Sequence, residues 1–271
     1  MKPVEKPKTK PPASRLSAAT LDTASVSIAR RDRRQTPHHL LRQRMEPRLR
    51  KSTTVKEALE RFGSRGEPTI HDVEHTALAE STSLAIRLDA VTILLALRER
   101  QPQLLQRILA SDDSVLFVEV LKRIKNLHPE WAPSVLLKML GASTDKSRRS
   151  LIVWALAPFS KDENVEKALL SAATDDVAET VRAHAIESLS QFHSRRVADV
   201  LIKILVDGSS TERFWALYSL GSLAEQRAGA TVEQFLEDET SIEGFGTIGE
   251  EARWALNKIV RARKRPTRKR A

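Results

Sequence analysis

Apolar residues recur along this chain in a helical rhythm that itself repeats. Arg87, Val118, Arg149, Arg182 and Arg213 stand 31, 31, 33 and 31 residues apart, each near the start of an apolar, alanine-containing run. Three runs share their text: Ile86-Arg87 then Ala90, Val181-Arg182 then Ala185, and Glu212-Arg213 then Ala216, with Leu94, Leu189 and Leu220 further on. Ahead of each marker lies a second pattern of two apolar pairs. It reads Leu104-Leu105 with Ile108-Leu109, Val135-Leu136 with Met139-Leu140, Ala168-Leu169 with Ala172-Ala173, and Val200-Leu201 with Ile204-Leu205. Weaker copies are Val73 with Ala77-Leu78 and Val232 with Phe235-Leu236. Self-similarity at this period predicts two-helix units that bury their faces only against their neighbours. The expected fold is all-α, a solenoid of about six helix pairs with Glu250 to Arg261 as a closing helix.

Helix-start signals keep the same beat. Thr54…Glu57, Asp176…Glu179, Ser209…Glu212 and Thr247…Glu250 have capping-box spacing, in which a side chain and a Glu satisfy each other's free backbone donors. Val115 to Val120 (VLFVEV) passes alone as a strand, but its place in the period and the continuing Leu121 and Ile124 favour helix. Turn residues fill the linkers at Ser111-Asp112-Asp113, Gly141-Ala142-Ser143 and Asp207-Gly208-Ser209. One linker, Glu239 to Gly249, breaks the period and sets Phe245 between glycines, making Phe245 a candidate contact residue.

Charge divides the chain into three. Residues 1–52 hold 14 Lys and Arg against 4 acids, residues 53–260 hold 24 against 31, and residues 261–271 hold 7 against none. The net charge of +10 therefore resides in a basic N-terminal arm, expected to be mostly disordered, and a basic C-terminal tail, around a mildly acidic repeat body. Within the arm, Thr36 to Glu46 is an exception that can form a short basic helix, stopped by Pro47. The chain has no cysteine, so disulfides and thiolate chemistry are excluded. With no long apolar run and no recognisable signal peptide, the expected location is the cytoplasm.

The residues Val181-Arg182-Ala183-His184-Ala185-Ile186-Glu187-Ser188-Leu189, Arg213-Phe214-Trp215-Ala216-Leu217-Tyr218-Ser219-Leu220-Gly221 and Ala252-Arg253-Trp254-Ala255-Leu256 resemble the HEAT-repeat family. Within it they are similar to the short class named after phycobilisome lyases. The third unit lacks the marker Arg, and the first has neither Arg nor Ala. The resemblance implies a right-handed superhelix whose second helices line a concave face. It implies little about activity, because this scaffold serves adaptors, chromophore lyases or isomerases and, in a distant helical-repeat relative, DNA glycosylases.

Candidate residues follow from the columns. The marker arginines suit bracing between units better than phosphate binding, their guanidinium reaching carbonyls or linker acids such as Asp176 and Asp207. On the second helices Arg107, Lys138 and Lys203 form a basic ridge beside an apolar strip of Leu137, Leu170 and Ile202, a partner-binding candidate suited to an acidic, amphipathic segment. His71-Asp72-Val73-Glu74-His75 spells an inverted zinc-protease motif, but Val73, Ala77 and Leu78 are needed for packing and no third ligand is evident, so no metal is assigned. Of the four tryptophans, Trp154, Trp215 and Trp254 fall inside helices, and only Trp131 offers an exposed platform. No phosphate loop, nucleophile elbow or carboxylate pair stands out, so no catalytic residue and no cofactor is assigned. Arg261, Arg263, Lys264, Arg265, Arg268, Lys269 and Arg270 are nucleic-acid candidates, since clustered cations bind phosphates without sequence preference. The function these readings favour is a non-catalytic protein-interaction scaffold. The alternatives are a nucleic-acid-associated protein using its tails, then a lyase, isomerase or glycosylase.

Overall fold

The computed structural model describes Leu49, residues 52–63, 69–97 and 102–264, all within one compact unit, Thr36–Ala271. The short helix expected at Thr36 to Glu46 lies outside the described residues, as does nearly all of the arm. Within these limits the fold is an all-α solenoid of thirteen α-helices and one hairpin of two two-residue strands.

First helices are α1 (Thr53–Gly63), α3 (Leu84–Ala96), α5 (Ser114–Leu127), α7 (Lys146–Leu156), α9 (Glu179–Ser188) and α11 (Ser210–Leu223). Second helices are α2 (Ile70–Leu78), α4 (Pro102–Leu109), α6 (Ala132–Ala142), α8 (Glu163–Asp175), α10 (Arg195–Asp207) and the short α12 (Gly229–Glu233). The closing helix α13 runs Ile248–Lys264, three residues further into the basic tail than the sequence suggests. Six pairs and a closing helix match the expected architecture, and VLFVEV is helical as its register requires.

The core is a continuous seam between the two layers. Leu104, Leu105, Ile108 and Leu109 on α4, and Val197, Leu201 and Leu205 on α10, are all buried against the first helices. First helices stack closely on one another along the whole array, whereas second helices touch only lightly. Small residues allow the close stacking. Ser188 Oγ donates to the Val153 carbonyl at 3.3 Å and Ser219 Oγ to the Ile186 carbonyl at 2.7 Å, each tying a first helix to the one before it.

Two of the four expected capping boxes form at helix starts. Ser209 and Glu212 cap α11 reciprocally, and Thr247 and Glu250 do the same for α13. Asp176 is not the N-cap of α9, which starts after Ala178; it ends α8, and its carboxylate is held by Arg149. A box at Thr69–Asp72 escaped sequence reading because Asp takes the place of Glu. The long last linker folds into a hairpin pairing β1 (Ser241–Ile242) with β2 (Gly246–Thr247), turned at Gly244 and Gly246, whose φ of 79° and 114° suit glycine.

Candidate interaction surface

The edge where units meet is braced by arginines, each from one unit to an acid of the next. Arg61 grips Asp89 at 2.9 and 2.8 Å, Arg87 meets Asp113 at 3.1 Å, and Arg149 grips Asp176 with two bonds of 2.8 Å. Arg182 donates to Glu212 at 2.5 Å and to the Asp176 carbonyl at 2.7 Å. Arg213 departs from the row and reaches back to the Val206 carbonyl at 3.1 Å. Guanidiniums committed in this way leave little for a phosphate, so bracing is their role. Asp89 and Glu212 belong to the row, and nothing in their local sequence distinguished them from cap or surface acids.

The Arg149 guanidinium, helped by the Ala178 amide, holds the Asp176 carboxyl below its usual range. Burial pushes the Glu212 carboxyl up, but the Ser209 amide and the Arg182 guanidinium outweigh it and leave it lowered. A carboxyl lowered by folding adds stability above its unfolded pKa, and that stability is lost as pH falls through its folded value. The urea midpoint is therefore expected to hold from pH 7 to about 5 and to fall below about pH 4. A midpoint that rises on acidification would contradict the pairing.

The expected partner column lies on the second helices as follows. Arg107, Lys138 and Lys203 are exposed, Leu137 and Ile202 are half-buried, and Leu170 belongs to the core. Lys138 reaches the Gln106 side chain at 3.5 Å, which brings α4 and α6 together at Arg107's neighbour. Because the second helices are splayed, an open groove of about 340 Å³ separates α6 from α8. Leu137, Leu140, Ala168 and Ala172 line it, with Asp175 and the Arg149–Asp176 pair at one end.

Phe245, at 60% exposure, leans on Phe214 and Trp215 with ring centroids 5.7 and 5.1 Å away. Trp131 corrects the expectation of an exposed platform: it is buried, and its indole N–H has no partner. Arg261 and Arg263 are exposed on the last turns of α13, whose backbone continues through Lys264. Arg265, Arg268, Lys269 and Arg270 lie outside the described residues. His71 and His75 are exposed on α2, and among the described residues no three His, Asp or Glu side chains gather as a metal would require. No helix among them is long and apolar enough to cross a membrane.

No curated protein matches the chain. Among solved structures, the crystal structure of an engineered protein, a Northeast Structural Genomics Consortium target, aligns at 21% identity and a TM-score of 0.42. The alignment covers 70% of this chain and 97% of that one. The family model for HEAT repeats matches residues 133–221 and 166–243, where the Arg and Ala markers are most regular. Over residues 133–243 the chain is thus similar to HEAT repeats.

Proposed function

We propose that this protein is a non-catalytic interaction scaffold that receives a partner segment on its second-helix face, in the cytoplasm. The supporting observation is the groove between α6 and α8. An apolar floor of Leu137, Leu140, Ala168 and Ala172 lies beside exposed Lys138, with Arg107 and Lys203 on the flanking helices. That combination suits an amphipathic segment that buries one apolar edge and presents acids to the bases. A second reading, contact with nucleic acid, draws on the exposed Arg261 and Arg263 beside Lys258 at the end of α13.

Capture of the tagged full chain from its own cells, with and without nuclease and followed by cross-linking, separates the two. The scaffold reading expects a protein partner that survives nuclease and cross-links through Lys138 or Lys203. It also expects recovery to fall at least about tenfold, roughly 1.4 kcal/mol, in the R107E/K138E/K203E variant at unchanged helicity. Recovery that vanishes with nuclease moves the function to the basic end. Recovery unchanged by the triple reversal puts the partner on another face.

A further inference from the structure

The opposite layer ends in a different kind of surface. Aromatic residues make up only 4% of the chain, yet Phe214, Trp215, Tyr218, Phe245 and Trp254, the only tyrosine among them, meet at one end of the first-helix layer. Trp215 meets Phe245 and Tyr218 edge-on at 5.1 and 5.7 Å, and Tyr218 stacks on Trp254 at 5.7 Å with planes 6° apart. Trp215 and Trp254 also pack against the core, but core packing accounts for only part of this cluster. Only Phe214 is buried, Trp215, Tyr218 and Trp254 are half-buried, and Phe245 is exposed. Phe245 also arrives on a hairpin that the repeat does not need.

One acid of α13 stands without a partner. Glu251 sits one helical turn before Trp254 on the same face of α13, and its Oε1 is shut away from solvent without a hydrogen-bond partner. The part-buried acids of earlier units, Asp89, Asp113, Asp176 and Glu212, each have a guanidinium. An unpaired buried charge is costly unless a cation arrives from outside. Its burial pushes the Glu251 carboxyl up, as expected for a charge lacking its counterion. The hairpin side carries further exposed acids, Glu239, Glu243 and Glu250. Indole faces in this layer already take cations, Lys125 on Trp154 at 3.8 Å and Lys258 on Trp254 at 5.4 Å.

We propose that Phe214, Trp215, Tyr218, Phe245 and Trp254 together with Glu251 form a docking site for a lysine or arginine side chain presented by a basic segment of a partner protein. The rings cover the aliphatic stem and face the cation, and Glu251 neutralises it. The site is independent of the second-helix groove, and either can fail without the other.

The test titrates a (Lys-Gly)5 peptide into the full chain and follows tryptophan fluorescence, with (Glu-Gly)5 and oligothymidine as comparison probes. Three variants accompany the wild type: Glu251→Gln, Phe245→Ala at the hairpin tip, and Glu130→Gln, which removes an exposed acid in another unit. The expected result is that (Lys-Gly)5 alone binds. Its affinity should fall about tenfold in Glu251→Gln and about three- to tenfold in Phe245→Ala, and stay unchanged in Glu130→Gln. Glu251→Gln should also raise the melting temperature, which a Glu that merely supports the fold would not do. No binding, an equal loss in Glu130→Gln, wild-type affinity in the first two variants, or a preference for oligothymidine each overturns the proposal.

Discussion

Replacing Gly221 with alanine is expected to destabilise the protein by about 1–3 kcal/mol, although helix propensity alone predicts a gain of about 1 kcal/mol. Packing reverses the sign. A β-carbon at Gly221 would stand 2.5 Å from Trp254 Cζ3, 2.8 Å from Ala255 Cα and 3.0 Å from Ala255 Cβ. Two of these neighbours belong to the backbone and first side-chain carbon of α13, which cannot swing aside, so α11 and α13 must separate. Separation also loosens the Tyr218–Trp254 stack. Gly141 in α6 is the natural control, since nothing lies within 4 Å of its added carbon, and there the same substitution should leave stability equal or raise it. Urea unfolding of the two variants decides the matter. A midpoint that rises in Gly221→Ala would show that the close approach of α11 and α13 is not required.

Arg149→Ala should cost about 2 kcal/mol. The figure lies between the ~1 kcal/mol ceiling of an exposed pair and the ~3–5 kcal/mol lost on breaking a buried one. Arg149 and Asp176 side chains are 13% and 11% exposed, and Arg149 also donates to the Ser143 carbonyl at 3.4 Å and the Thr144 carbonyl at 2.8 Å. Truncation leaves Asp176 charged without its fork and the linker before α7 without its donor. Lysine should restore only part of the loss, since an ammonium cannot make both bonds to the carboxylate. Because Asp176 then loses the interaction that lowers its pKa, the variant's stability should also fall less steeply with acid than the wild type's. Full rescue by lysine would show that charge alone, and not the fork geometry, holds the units together.

The repeat was legible because burial in a stacked array is periodic. Leu104, Leu105, Ile108 and Leu109 all turned inward as their spacing required. The marker arginines could be read as braces and Asp176 as one of their partners, but Asp89 and Glu212 could not, since they resemble any helical acid until a neighbouring unit sets a guanidinium beside them. Leu170 looked like a member of an exposed strip and lies in the core, a difference of a fraction of a turn that periodicity does not resolve. Phe245 was conspicuous as a break in the cadence, yet its association with Phe214 and Trp215 depends on how the hairpin folds back. Glu251 carried no signal at all. Its solitude is a property of three-dimensional surroundings, and an i,i+3 spacing to Trp254 is common in any helix.

The unequal spacing of the two layers also sets how the array yields to load. Hydroxyl ties such as Ser219 to Ile186 and the close fit at Gly221 hold neighbouring first helices together. The second-helix layer, with light cross-contact, can fan out or shut at little cost in buried area. Flexure is therefore cheapest about the first-helix layer and dearest along it. A wedge driven between α6 and α8 is expected to part the lightly touching second helices before it disturbs the closely stacked first helices.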